Sequence, residues 1–429
     1  MEFALLLGVA RAQSAASRPQ SPATSNTQAA AHPILVGYFP QWGLYSEPPY
    51  LVKNLVTSGA AALLDQINYA QGFVTSGHCS VADPNADLNH AFTATESVDR
   101  TADLPDQPFR GYMHQVAELK RRYPHLKLLI SLEGNPLDFA ADAQPETRHA
   151  FVASCIDVFI KGNLAPGVTA PGLFDGIDVD WEYPQQADAA NYLALLTEMR
   201  QQMDALRPGL TLSVAMGHSP RMYDGTDIAA VAHVVDEVGL MTYDFTGPWS
   251  HNTGFIAPLY KTAQRWGGSV DGSVSDYLAA GVPASKLLVG LPFYGYGWQQ
   301  VPDTDNGLAQ EGEPIHGDRP YNYIETLAAD SSVYRDPASS APWLFDGDVF
   351  WTYEDPTSIQ AKGQYAIDHK LGGMMIWELS GDNPSALLLK TAKSALAPAG
   401  PRTQPGTATA SSHPSFEPTV KSAPVPERH

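Results

Sequence analysis

The sequence predicts an α/β protein, a (β/α)8 TIM barrel with a small α+β subdomain inserted after its seventh strand. Three observations carry that expectation. Eight short apolar runs of strand length recur along the chain. Most of the intervals between them carry helical periodicity, the pattern of parallel strands joined by crossover helices. One interval, Tyr296 to Lys362, is too long for a connection. Its Gly, Pro and Asp content, with aromatic runs at 321–324 and 349–353, predicts a subdomain at the C-terminal rim, walling one side of the site.

Residues 1–32 read as a leader. The apolar run Phe3–Ala10 and Ala10-Arg11-Ala12 resemble a secretory signal with its cleavage site, although Glu2 stands where a basic residue is usual. Residues 13–32 have the Ser, Ala, Gln and Thr content of disordered chain. The folded domain, 33–397, begins at Pro33 with a strand over 34–39. A second strand fits 63–70, and the Asp- and Asn-rich stretch 75–106 reads as a long loop. A helix over 113–123 leads to a third strand at 126–131, and another helix covers about 150–160. The fourth strand is the acidic stretch 174–184. Behind it, Tyr192, Leu195, Leu196, Met199, Met203 and Leu206 repeat at helical spacing and predict a core helix. Strands five to eight fit 210–216, 237–243, 286–293 and 372–378. The subdomain is expected over 296–362, and 398–429 is a Pro- and Ser-rich tail read as disordered.

Composition narrows the partners. A formal charge of −20 over 429 residues repels nucleic acid and anionic membrane alike. No apolar run reaches the roughly 18 residues of a membrane span. An uncharged polymer or small ligand fits better, and a monomer is expected. Cys79 and Cys155 offer neither a disulfide framework nor zinc spacing; Cys155, four residues from both Phe151 and Phe159, reads as a buried free thiol. The histidines lack the spacing of a metal motif, so no metal or cofactor is expected.

The acidic strand concentrates the chemistry. Asp175, Asp178, Asp180 and Glu182 alternate with Ile177, Val179 and Trp181. Alternate residues of a strand point to opposite faces, so Asp178, Asp180 and Glu182 share one face and the apolar set shares the other. In a barrel the acids face inward. Three crowded carboxylates repel one another, so at least one keeps its proton near neutral pH. Glu182, just before Pro184, stands at the strand's open end, where barrel enzymes hold their chemistry.

This stretch also resembles the DxxDxDxE signature of family 18 glycoside hydrolases. Met241-Thr242-Tyr243-Asp244 is similar to the family's MxYD motif. Phe293-Tyr294-Gly295 resembles its lead-in to an insertion, Gly37-Tyr38 its first-strand tyrosine, and Trp377 the tryptophan flooring its sugar site. The resemblance covers about 33–397 and implies a secreted or periplasmic chitinase acting on N-acetylglucosamine polymers. Alternatives are an endo-β-N-acetylglucosaminidase on N-glycans or cell-wall glycan, and a chitin-binding lectin without activity. It implies Glu182 as general acid and base, Asp180 on the substrate's acetamido N–H, Asp178 sharing a proton with Asp180, and Tyr243 on the acetamido oxygen. Asp244 and Met241 would support the same ring, and Asp175 would hold the strand's start. The family's third strand ends Ser-x-Gly-Gly, whereas this chain reads Ser131-Leu132-Glu133-Gly134, which leaves Ser131 a structural role and adds an acid. Tyr296 replaces a common Arg. Trp42, Tyr45, Trp249 and Trp298 are expected on rim loops, with Tyr38 and Tyr294, as sugar-binding aromatics.

Overall fold

The computed structural model describes residues 32–397 apart from 76, 108, 263–266 and 329–330. Apart from His32, the expected leader and the expected tail lie outside the described residues. Eight parallel strands among the described residues form the barrel: β1 (Ile34–Pro40), β2 (Gln66–Thr75), β3 (Lys127–Gly134), β4 (Gly176–Val179), β5 (Thr211–Met216), β6 (Glu237–Leu240), β7 (Leu287–Pro292) and β8 (Gly373–Trp377). Each pairs with its sequence neighbour, and β1 pairs with β8, which closes the ring. The helices outside are α1 (Val52–Thr57), α2 (Gly111–Arg122), α3 (Arg148–Cys155), α4 (Ala189–Leu206), α5 (Ile228–Val234), α6 (Val270–Ala279), α7 (Pro356–Asp368) and α8 (Leu387–Ala395).

The strand and helix periods meet in the layer between barrel and helices. Ile177 and Val179 of β4 and Leu212, Val214 and Met216 of β5 belong to one buried cluster with Tyr192, Leu195, Leu196, Met199 and Met203 of α4. The opposite strand parity supplies a smaller inner cluster of Val36, Tyr38, Leu288 and Met375, topped by Tyr243 and Tyr294.

Between β2 and α2 the chain departs from the expected loop. β2 continues five residues past the predicted end and turns into an antiparallel strand, His78–Val81. Cys79 on that strand and Cys155 at the end of α3 form a disulfide, with Cα atoms 4.7 Å apart. The free-thiol reading is therefore corrected. The hairpin carries Cys79 across to α3, a juxtaposition that their 76-residue separation conceals. The rest of the stretch folds back too: Phe92 and Val98 are buried, and Asp87 accepts from the Tyr69 hydroxyl.

The insertion is α+β. Its sheet runs Glu313–Pro314, Tyr294–Gln299, Phe350–Thr352, Pro342–Phe345, Ser332–Arg335, and Arg319–Pro320 also pairs with Tyr294–Gln299. A helix, Tyr321–Leu327, completes it. The sheet begins at Tyr294, almost directly out of β7, and α7 begins at Pro356 rather than beyond 362. Asp355 caps α7 by accepting from the Ser358 amide. Beside it, the fully buried Glu354 pairs with Lys362, tying the returning chain to the helix. Trp298 is wholly buried in the insertion core with Trp343, Phe345 and Phe350. It is not the rim aromatic predicted, because it lies on a paired strand rather than a loop.

Candidate active site

The acids stand at the C-terminal mouth of the barrel. The hydrogen-bonded part of β4 ends at Val179, but the alternation continues. The Asp180 amide donates to the Leu132 carbonyl of β3 at 3.0 Å. Trp181 turns outward to stack on Phe139, ring centroids 5.3 Å apart, and is 2% exposed. That anchor fixes the segment so that Asp180 and Glu182 face inward. Asp175 sits at the foot of the strand, accepting from the Leu128 amide and pairing with Lys120 at 2.7 Å.

Asp178 forms the buried floor. Its Oδ2 accepts from the hydroxyls of Tyr38 and Ser131, each at 2.8 Å, and its Oδ1 accepts from Ser213 at 2.5 Å. Burial pushes its pKa up and the three donors pull it back. No hydrogen bond joins Asp178 to Asp180 among the described residues. Asp180 has a buried Oδ1 with no hydrogen-bond partner among the described residues. Burial, then the charges of Glu182, Asp178 and Glu133, hold its pKa well above the carboxylate range. Glu182 is exposed at the mouth, and partial desolvation there raises its pKa as well.

The opposite wall comes from β6 and β7. Thr242 turns away, its hydroxyl exchanging hydrogen bonds of 2.9 Å with both the N–H and the carbonyl of Gly290. This leaves Met241 and Tyr243 pointing into the mouth. Position 290 must be glycine, since a Cβ there would lie 2.3 Å from the Leu240 carbonyl and 2.9 Å from the Tyr243 ring. Asp244, at φ 59°, accepts from the Tyr294 hydroxyl at 2.7 Å. Burial raises its pKa to about 6 against the pull of Tyr294 and Tyr296. Trp377 ends β8 half-buried, 5.4 Å from Tyr38 and 5.9 Å from Trp42 between ring centroids.

Together Tyr38, Asp180, Glu182, Met241, Tyr243, Asp244, Tyr294 and Trp377 line a pocket of about 200 Å³. It adjoins a recess of about 150 Å³ lined by Trp42, Trp377, Asp318 and Glu378, whose carboxyl burial raises to about 7. A pocket of about 290 Å³ elsewhere, walled by Tyr50, Asn54, Asn322 and Asn383, contains none of the β4 acids. Trp249 is 63% exposed and lies against Tyr296, while Tyr45 bonds to Asp83 at 2.6 Å. Among the described residues no cluster of His, Cys, Asp or Glu is placed to hold a metal ion.

Tyr183 and His218 also line the pocket and were not foreseen; neither belongs to an alternating pattern. Ser213 was missed as well. Its strand parity, inward and level with Asp178 in the β4–β5 register, was the available signal.

The family model described as Glycosyl hydrolases family 18 matches residues 34–382. Chitinase C of Streptomyces lividans is 34% identical over 370 residues, covering 81% of this chain and 57% of that protein. Chitinase 63 of Streptomyces plicatus is 33% identical, covering 85% and 60%. This chain thus spans little more than half the length of either relative. The catalytic domain of psychrophilic chitinase B from Arthrobacter TAD20 superposes with a TM-score of 0.79 at 31% identity, covering 87% of this chain and 98% of that one.

Proposed function

The chain belongs to family 18 of the glycosyl hydrolases, and from that membership we propose that it is a chitinase cutting β-1,4-linked N-acetylglucosamine polymers with retention. The observation that supports this reading best is the inward column of acids. It climbs from a hydroxyl-locked Asp178, through Asp180 with its free Oδ1, to the exposed Glu182, facing Tyr243 across a pocket floored by Trp377.

In this reading Glu182, its proton retained by desolvation, protonates the glycosidic oxygen as the C1–O bond breaks. The carbonyl oxygen of the substrate's own 2-acetamido group closes on C1, giving a cyclic oxazolinium ion. Asp180 accepts the acetamido N–H through Oδ1 and offsets the developing positive charge. The Tyr243 hydroxyl donates to the acetamido oxygen, and Trp377 stacks beneath the sugar ring. Glu182 then takes a proton from the water that opens the ring, leaving the β anomer. Asp178, the third acid of the column, is fixed by its donors and shares a proton with Asp180, taking it up so that Asp180 is the anion when the positive charge develops.

We also place the protein outside the cytoplasm, in a secreted or periplasmic setting, since the Cys79–Cys155 disulfide fits an oxidising compartment. Digestion of chitin oligomers with sizing of the products tests the substrate. Release of N-acetylglucosamine oligomers supports the reading; cleavage of N-glycans with chitin untouched overturns it. Glu182→Gln should keep chitin binding while turnover falls by roughly 10²–10⁴-fold. A variant keeping more than about a tenth of the activity would refute Glu182 as the acid.

A further inference from the structure

Glu133 stands where the resemblance leads one to expect glycine, and the fold gives it a definite place. Side chains of β3 alternate: Leu128, Ile130 and Leu132 pack outward, while Ser131 points inward to Asp178. Ser131 is level with Asp178 and Leu132 with Val179 in the β3–β4 register, and the Asp180 amide bonds to the Leu132 carbonyl. Glu133 is therefore the next inward residue of β3, one layer above Ser131 and level with Asp180. On its other side β2 offers Phe73, which has no charge to neutralise it.

We propose that Glu133 is a positioning residue for the reaction: its carboxylate, one strand over and level with Asp180, discourages ionisation of Glu182 and keeps the acid loaded with its proton. The effect is electrostatic: the repulsion that raises Glu133 acts reciprocally on Glu182, beside the desolvation that raises Glu182 and the Tyr183 hydrogen bond that lowers it. Burial and then the Glu182 charge hold the pKa of Glu133 above its ordinary value, and Glu133 in turn adds to the anions raising Asp180. The other titratable groups at this mouth are the carboxyl of Asp244, the phenols of Tyr38, Tyr183, Tyr243 and Tyr294, and the imidazole of His218, which burial keeps toward neutral, with Asp178 beneath them against Tyr38. No lysine or arginine is among the residues lining the pocket, so nothing there cancels the charge that Glu133 contributes.

The inference rests on Glu182 being the general acid, and the test separates the two. The alkaline limb of kcat/KM reports loss of the proton from the acid in the free enzyme. Glu133→Gln, isosteric and exposed enough to be accommodated, should move that limb to lower pH by roughly half a unit or more. Glu133→Asp, keeping the charge, should stay near the parent. A carbon-13 titration of the Glu182 carboxyl should show the same downward shift without relying on turnover. An unmoved limb, or a loss of kcat equal at every pH, overturns the proposal while Glu182→Gln remains inactive. An active Glu182→Gln would instead overturn the assignment of the acid itself.

Discussion

Asp178 illustrates how much of the site is set by single hydroxyls. A carboxylate 1% exposed has lost nearly all its water, and three donors from three strands replace it: Tyr38 of β1, Ser131 of β3 and Ser213 of β5. Hydrogen bonds to a buried charge are worth about 1.5–3 kcal/mol each, and losing one leaves the charge undercompensated. Ser213→Ala should accordingly destabilise the fold by about that amount in urea or guanidinium unfolding. It should also lower activity, because Asp178 then either takes up a proton or shifts against Asp180. Unchanged stability would mean that water replaces the hydroxyl. Ser131, given only a structural place from the sequence, proves to share this task, and Glu133 beside it is an acid that the usual pattern does not contain.

At the scale of elements, the barrel strands were legible because each is an apolar run bounded by polar or turn residues, and the acidic strand because Trp181 alternates so strictly with carboxylates. The strand His78–Val81 was not legible. Its four residues include His and Ser and carry no apolar run, so only pairing with β2 makes it a strand. The disulfide followed from that pairing and could not be foreseen without it. The insertion's start was misplaced for a related reason: Tyr294, Tyr296 and Trp298 continue one alternation from the pocket into the subdomain core, so sequence shows no seam at 296. The hairpin and α3 are joined by the Cys79–Cys155 disulfide, which closes a 76-residue loop, and by a hydrogen bond of 3.0 Å from the Cys79 amide to the Ser154 hydroxyl. Chain-entropy arithmetic for such a loop gives about 4 kcal/mol. Cys79→Ser, or reduction, should lower the melting temperature markedly while leaving kcat near the parent value at low temperature, since neither cysteine lines the pocket. A variant melting with the parent would show that packing of β2 against α3 holds the hairpin unaided.

Across the whole molecule, buried carboxyls and net charge act in the same direction. Burial is the leading cause that raises Asp87, Glu237 and Glu378 to about 7 and Asp244 to about 6. In the unfolded chain these groups release their protons near pH 4. Between about pH 4 and 7 the native state therefore binds more protons than the unfolded state, so stability falls as pH rises through that window. The formal charge of −20 at pH 7 adds self-repulsion, which eases as carboxylates are protonated. The opposing groups are few and shallow. Asp83, Glu96, Asp99 and Glu198 sit below the ordinary value, so their contribution is present above about pH 4 and lost only below it; the depressed imidazole of His218 alone opposes the trend within the window, and one such group stands against four raised acids. The melting temperature should therefore peak on the acid side, near pH 5, and decline steadily toward pH 8. Calorimetric scans at half-unit intervals in matched ionic strength would decide it. A maximum at or above pH 7 would mean that these acids are ionised in the native protein.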